Sequence, residues 1–308
     1  MYMQQTSLQV AMVEMQTKLE RTQQQVESLK QIVEHEKETG FASSATVREC
    51  NNCQWIIDRS EIHIPEHGEK ILGQGGWATV TIATFRKTQV AAKCFYGEII
   101  SNYNRHLFNR EMNMAARLRH PNLVQFIGAT IDREPIIITE LMSTSLRHVL
   151  VEQKLNFLQI KCIGLDVGKA LNYLHNIKPD PIIHRDVSSG NVLLDPLPNN
   201  LWKAKIADYG SVNLLKELKT VGPGSPAYAA PEATSPPLQS PKMDIFSFGI
   251  LLIEIFTGKF PDVESHNQLK AEINRNDYLR IVNMCLMKNP TERPTAELVI
   301  DELAKLTC

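Results

Sequence analysis

The sequence predicts an α+β fold in two parts, with a separate helix ahead of it. Three observations carry this expectation. Residues 1–38 hold eight Gln and neither Gly nor Pro, and their apolar residues recur in alternating steps of four and three. Short runs rich in β-branched residues follow, and long helical stretches come only after those runs. Strands first and helices later describe a β-rich part joined to a helical part, not alternating βαβ units. A length of 308 residues suits one large domain or two ordinary ones.

In the first segment Leu8, Met15 and Leu29 fall at heptad d, and Met12, Leu19, Val26 and Val33 at a, with Thr22 the one polar intruder. So narrow a seam suits a partner helix. Residues 5–33 are therefore expected to form a coiled coil, homo- or hetero-oligomeric, with a helix docked on its own domain as the alternative. The e and g positions are mostly Gln and fix neither strand number nor orientation. Gly40 to Ser44 break the helix, and residues 39–66 form a linking segment in which Trp55 and Ile56 are expected to pack on the β-rich part. Strands are expected at Thr79–Thr84, Gln89–Tyr96 and Ile136–Thr139. Helices are expected around Phe108–Ala115 and at Phe157–His175, Lys242–Thr257 and Tyr278–Lys288.

Charge and composition exclude several classes. The 33 Lys and Arg against 34 Asp and Glu give a net charge of −1, which does not suit a basic nucleic-acid binder. Apolar residues make up 43%, a globular composition. Cys50 and Cys53 are the one close pair among six Cys, with no second CxxC or His pair to complete a zinc site, so reduced thiols and a cytoplasmic setting are expected. The longest apolar stretch, Ile245–Phe256, includes Glu254 and falls well short of the ~20 residues a bilayer needs. No membrane span is expected.

The chemistry-bearing motifs come in a fixed order. Gly73-Gln74-Gly75-Gly76-Trp77-Ala78-Thr79-Val80 joins two expected strands; its glycines let backbone N–H groups approach phosphate oxygens. A dinucleotide fold would place a helix here, and the Thr- and Val-rich continuation argues for a strand. The apolar run Val90-Ala91-Ala92-Lys93 places a cation in a strand, costly unless paired, and Glu111 in the helix that follows is the candidate partner. His184-Arg185-Asp186-Val187-Ser188-Ser189-Gly190-Asn191 presents a carboxylate as a possible base and, five residues on, an amide as a possible metal ligand. Lys205-Ile206-Ala207-Asp208-Tyr209-Gly210 ends a strand in an Asp, a hard oxygen ligand suited to Mg²⁺. Ala230-Pro231-Glu232, Asp244 to Gly249 and Arg293-Pro294 complete the series.

In this order the motifs resemble a protein kinase domain over residues 67–308, and in detail the tyrosine kinase-like group of serine/threonine kinases. The resemblance implies a bilobal fold, with a small β-rich lobe and a larger helical one, and an ATP- and Mg²⁺-dependent transfer of phosphate to a protein substrate. It implies that Gly73, Gln74, Gly75, Gly76, Ala78 and Val80 cover the nucleotide together with Ala91 and Leu193. Lys93, paired with Glu111, would hold the α- and β-phosphates, and Asn191 and Asp208 the metal. Asp186 would act on the substrate hydroxyl. The adenine would lie at Glu140-Leu141-Met142, with Thr139 guarding the pocket behind it. Glu232 and Arg293 would form a buried structural ion pair.

Four departures from the family pattern stand out. Ala78 replaces the third loop glycine, and Tyr209 replaces the usual Phe of the metal-binding tripeptide. Ser188 stands where serine/threonine kinases carry Lys, and Gly190 where tyrosine kinases often carry Arg. Loss of that electrostatic stabiliser is expected to slow transfer by roughly one to three powers of ten. The stretch from Asp262 to Asn289 is short for the family, implying a trimmed lower lobe. Gly224-Ser225 before the Ala-Pro-Glu motif favours Ser/Thr acceptors, with Tyr or dual specificity as the alternative. Thr220 is the expected switch, its phosphate pairing with Arg185. An enzyme that phosphorylates its own copies through the coiled coil is thus expected, against the alternative of a pseudokinase scaffold.

Overall fold

The computed structural model of the chain describes residues 54–65, 71–75, 78–96, 105–132, 134–208, 225–235 and 239–307. The heptad segment, Gly76, Tyr209, Thr220 and Gly224 lie outside the described residues.

The β-rich part is built on one hairpin. β-branched residues alternate along Ala78–Phe85, and Thr88–Phe95 returns antiparallel to it through Arg86-Lys87. Both turn residues have positive φ, 45° and 69°, which matches the turn to the right-handed twist of the strands. In chain order, Ile62–His63 is β1, Ile71–Gln74 β2, this hairpin β3 and β4, Phe126–Ala129 β5 and Ile136–Glu140 β6. The sheet runs β1-β3-β4-β6-β5, with β2 against the other end of β3 from β1. Helix α1, Arg105–Ala115, packs on it through Phe108 and Met112, both buried.

The segment upstream of β1 belongs to this packing. Trp55 is buried, meets Phe108 edge-on at 6.2 Å and donates from its indole nitrogen to Asn113 Oδ1 at 2.7 Å. Ile57 N donates to Ala129 O, and Ala129 N to Trp55 O, both at 3.0 Å, so the segment lies as an added strand along β5. Gly128 allows the approach: a Cβ there would lie 2.5 Å from Trp55 O and 2.5 Å from Ile57 Cδ1.

The second part starts with β7, Thr144–Ser145, and α2, Leu146–Glu152. Helix α3 covers Phe157–His175, as the periodicity predicts, and opens with a reciprocal Asn156–Gln159 capping box. Strands β8, Val192–Leu197, and β9, Leu201–Ile206, complete a three-stranded sheet in the order β7-β8-β9. Helix α4, Lys242–Thr257, is buried on almost every side, as its largely apolar sequence requires, and stops at Gly258 in the left-handed conformation, φ 69°. Helices α5, His266–Ala271, and α6, Asn276–Cys285, pack against it, and α7, Ala296–Lys305, packs against α3.

One expected boundary moves. Helix α6 ends at Cys285 rather than Lys288. The carbonyls of Met287 and Lys288 turn inward and accept from the Arg293 guanidinium, at 2.8 and 3.3 Å, which removes them from a helical ladder. Among the described residues no helix is long and apolar enough to cross a membrane.

Candidate active site

A cleft of about 950 Å³ lies between the two sheets. Its upper wall is the β2–β3 hairpin with Gly73, Gln74, Gly75, Ala78 and Val80, together with Ala91 and Lys93 of β4. Thr139 and Met142 line it where β6 passes into the second part, and Leu193, Asn191, Asp186 and Asp208 line the lower wall. The cleft thus gathers residues that are up to 137 positions apart in the chain, Ile71 to Asp208.

Three described residues expected at the site, Glu111, Glu140 and Leu141, do not line the cleft. Glu140 turns its side chain to Lys205, whose Nζ donates to both carboxylate oxygens at 2.7 and 2.6 Å, and Glu140 Oε1 also accepts from Gln125 N at 2.6 Å. Glu111 is buried on α1, next to Met112, which does line the cleft. Residues that motif reading passed over also line it: Ile71 and Leu72 from above, Phe126 and Ile137 behind, Ala207 below and Arg147 at one end. Apolar lining of this kind carries no motif, since any large side chain of the right shape serves.

The loop from His184 to Asn191 is fixed from beneath by Asp244. This fully buried carboxylate accepts from His184 N and Arg185 N, both at 2.8 Å, and bonds to His175 Nε2 at 2.8 Å. Burial alone would push Asp244 up, but the His175 bond, the imidazole charges and the Arg185 N–H together hold it below the usual aspartate range. His184 in turn reaches Ala207 O with Nε2 at 2.9 Å, tying this loop to the end of β9. Arg185 takes a positive φ, 69°, in this clamp.

Asp186 is oriented at both oxygens. Oδ1 accepts from Ser225 N at 3.0 Å and Oδ2 from Asn191 Nδ2 at 2.8 Å. The Ser225 backbone N–H, and not its hydroxyl, makes this bond. Asn191 Nδ2 also donates to Asp186 O at 2.9 Å, so its amide oxygen is the group it can offer a cation. Lys93 Nζ donates to both oxygens of Asp208, at 2.7 and 2.8 Å. Among the described residues no cluster of three or more His, Cys, Asp or Glu could hold a metal by itself. An amide oxygen and one or two carboxylates form a hard-oxygen set that fits a divalent cation sharing its shell with phosphate oxygens.

Below the cleft, Glu232 and Arg293 form the buried ion pair expected from the sequence, with bonds of 2.5 and 2.9 Å. Arg293 stands over the Phe246 ring at 4.9 Å and donates to Lys242 O at 3.0 Å, so all its charge is answered inside.

Residues 67–305 match the model of the protein kinase domain family. The chain is 32% identical over 278 residues to a probable serine/threonine-protein kinase, drkA, of Dictyostelium discoideum, covering 83% of this chain and 42% of that one. It is 29% identical over 276 residues to serine/threonine-protein kinase 12 of Arabidopsis thaliana, covering 82% and 58%. To the dual specificity protein kinase splA of Dictyostelium discoideum it is 31% identical over 288 residues, covering 82% and 12%. The chain therefore spans less than two thirds of the length of these curated relatives. A β-rich lobe over a helical one, a cleft between them that gathers the ordered motifs, and a family match across most of the sequence agree: the chain belongs to the protein kinase family.

Proposed function

We propose that the chain transfers the γ-phosphoryl group of ATP, bound with Mg²⁺, to Ser or Thr hydroxyls of a protein substrate, including those of a second copy of itself. The observation that carries this reading is the Asp186 carboxylate, held by Ser225 and Asn191 in the same cleft as the Lys93–Asp208 pair. Phosphoryl transfer needs in-line positioning and neutralised oxygens more than covalent chemistry.

In this reading Asp186 orients the acceptor hydroxyl and takes its proton. Lys93 exchanges Asp208 for the α- and β-phosphates, with Glu111 as its partner, and the loop of Gly73, Gly75 and Gly76 covers the phosphates from above. Asn191 and Asp208 hold the metal, which supplies the positive charge that neutralises the phosphate oxygens. At the adenine end, the Glu140 side chain is committed to Lys205 and its N–H to Gln125 O, while its carbonyl accepts from Thr139 Oγ1 at 3.3 Å and keeps a second lone pair for the base. The Ser/Thr preference is supported by Ser225 after Gly224 and by the names of the first two relatives. The heptads of residues 5–33 join two copies, or a copy and a partner helix, which raises their effective concentration for mutual phosphorylation.

The test is phosphate transfer from γ-labelled ATP with Mg²⁺ to generic Ser, Thr and Tyr acceptors, by wild type and by Asp186→Asn. Wild-type labelling should fall by about two to four powers of ten in the variant, the range for a lost general base. The labelled residue then identifies the acceptor class. Equal silence from both proteins, with nucleotide still bound, would replace the enzyme by a nucleotide-binding scaffold and turn attention to Ser188.

A further inference from the structure

Arg147 is the second residue of α2, and its side chain lines the cleft together with Asp186 and Gly190. A Cβ on Gly190 would lie 3.9 Å from Arg147 Nε, so the guanidinium rests against the 184–191 loop where that loop carries no side chain. Three groups hold it there. Nε donates to Ser189 Oγ at 3.1 Å, Nη2 donates to Tyr228 OH at 3.1 Å, and the guanidinium carbon stands 4.2 Å over the ring of Phe260. The ring of Phe260 meets Tyr228 edge-on at 6.2 Å, and the Arg147 backbone N–H donates to Ser189 O at 3.0 Å. Among the described residues Arg147 Nη1 has no hydrogen-bond partner.

A carboxylate stands behind this arrangement, on the side away from the cleft. Glu254 of α4 is buried and accepts from Ser189 Oγ at 2.7 Å and from Tyr228 OH at 2.5 Å. Both of its oxygens are therefore answered from within the protein. The other acidic groups of the cleft are engaged as well, Asp186 by Ser225 and Asn191, and Asp208 by Lys93. What the chain offers a substrate at this end of the cleft is a guanidinium, stacked on one face and anchored along one edge, with Nη1 unanswered among the described residues. A fork fixed in this way loses little conformational freedom when it captures a carboxylate.

We infer that Arg147 is a specificity-determining residue that draws an acidic side chain of the protein substrate to a position flanking the acceptor hydroxyl. The inference rests on the phosphoryl-transfer reading above. A lysine or arginine at that position of the substrate meets like charge before it meets Glu254, so the site selects against basic flanks as well as for acidic ones. Were Arg147 only a clamp on Tyr228, its loss would impair every substrate alike.

The experiment uses the full chain as wild type, Arg147→Gln and Arg147→Lys. Fluorescent Ser peptides, identical except for one Asp, Ala or Lys walked through the positions flanking the acceptor, are titrated in the presence of a non-hydrolysable ATP analogue. KM and kcat are then measured for the same peptides with ATP. At one position the Asp peptide should bind wild type about tenfold tighter than the Ala peptide, with a matching difference in KM, the size expected of one charge-assisted pair. Arg147→Gln should abolish the difference between the Asp and Ala peptides, whatever it does to the KM they share, and Arg147→Lys should retain part of it. Equal binding of Asp and Ala peptides by wild type overturns the inference, and so does an equal loss for all peptides in Arg147→Gln. Acid-selective binding without transfer would keep the Arg147 contact and overturn the phosphoryl-transfer reading; transfer without selectivity would keep that reading and overturn the inference.

Discussion

Asp244 answers three donors from a position with no access to water: His175, His184 N and Arg185 N. Asp244→Asn puts an amide NH₂ against at least one of them, and the expected loss of stability is about 3–5 kcal/mol, as for breaking a buried charged pair. The carboxyl is held below the ordinary aspartate value of 3.8, so its contribution is fully present above that pH and is lost as pH falls through the lower folded-state value. Urea unfolding of wild type and variant side by side should therefore show a gap that is constant from neutral pH down to about 3.8 and closes below it. A gap that widened on acidification would contradict the assignment. Single residues of this kind were legible when a motif fixed them: Lys93, Asp186, Asn191 and Asp208 line one cleft because short loops and strand ends set their directions. Arg147 was not legible. An arginine in the first turn of a helix reads as a solvated surface charge, and its place is decided by Ser189, Tyr228 and Phe260, which stand 42, 81 and 113 positions away.

At the scale of the element, the contact between β5 and the segment around Trp55 is the most exacting. Gly128→Ala would force a methyl group into Trp55 O and the Ile57 side chain, and backbone cannot yield as a flexible side-chain tip does. Overpacking of this order costs about 1–3 kcal/mol, so thermal melting should move down, and an unchanged melting temperature would mean that the segment leaves the sheet without cost. The long elements were legible because their burial is continuous: α3 and α4 have the limits their apolar patterns predict. Helix α6 was not, since its end is set by Arg293 capturing two carbonyls, and a local pattern contains no trace of that capture. The short strands β1, β2 and β7 are likewise defined by their partners, being too brief to show a period.

For the whole molecule, the tether proposed for the heptads of residues 5–33 would govern how the cleft is supplied with substrate. Leu19→Asp in the full chain places a charge on the seam and should lower the molar mass seen by light scattering, while making autophosphorylation depend on protein concentration. A molar mass indifferent to that substitution would sink the tether. The Lys93–Asp208 pair acts at the same scale, because it joins the two lobes across the site. In effect the protein carries its own competitor: ATP with its metal must displace one charge from the other before either becomes available. Apparent affinity then scales with the fraction of molecules in which the pair is open. A partly exposed pair is worth about 1 kcal/mol, so the lowered affinity amounts to roughly fivefold, and a rise or fall in nucleotide would be read by this cleft as the opening or closing of a latch.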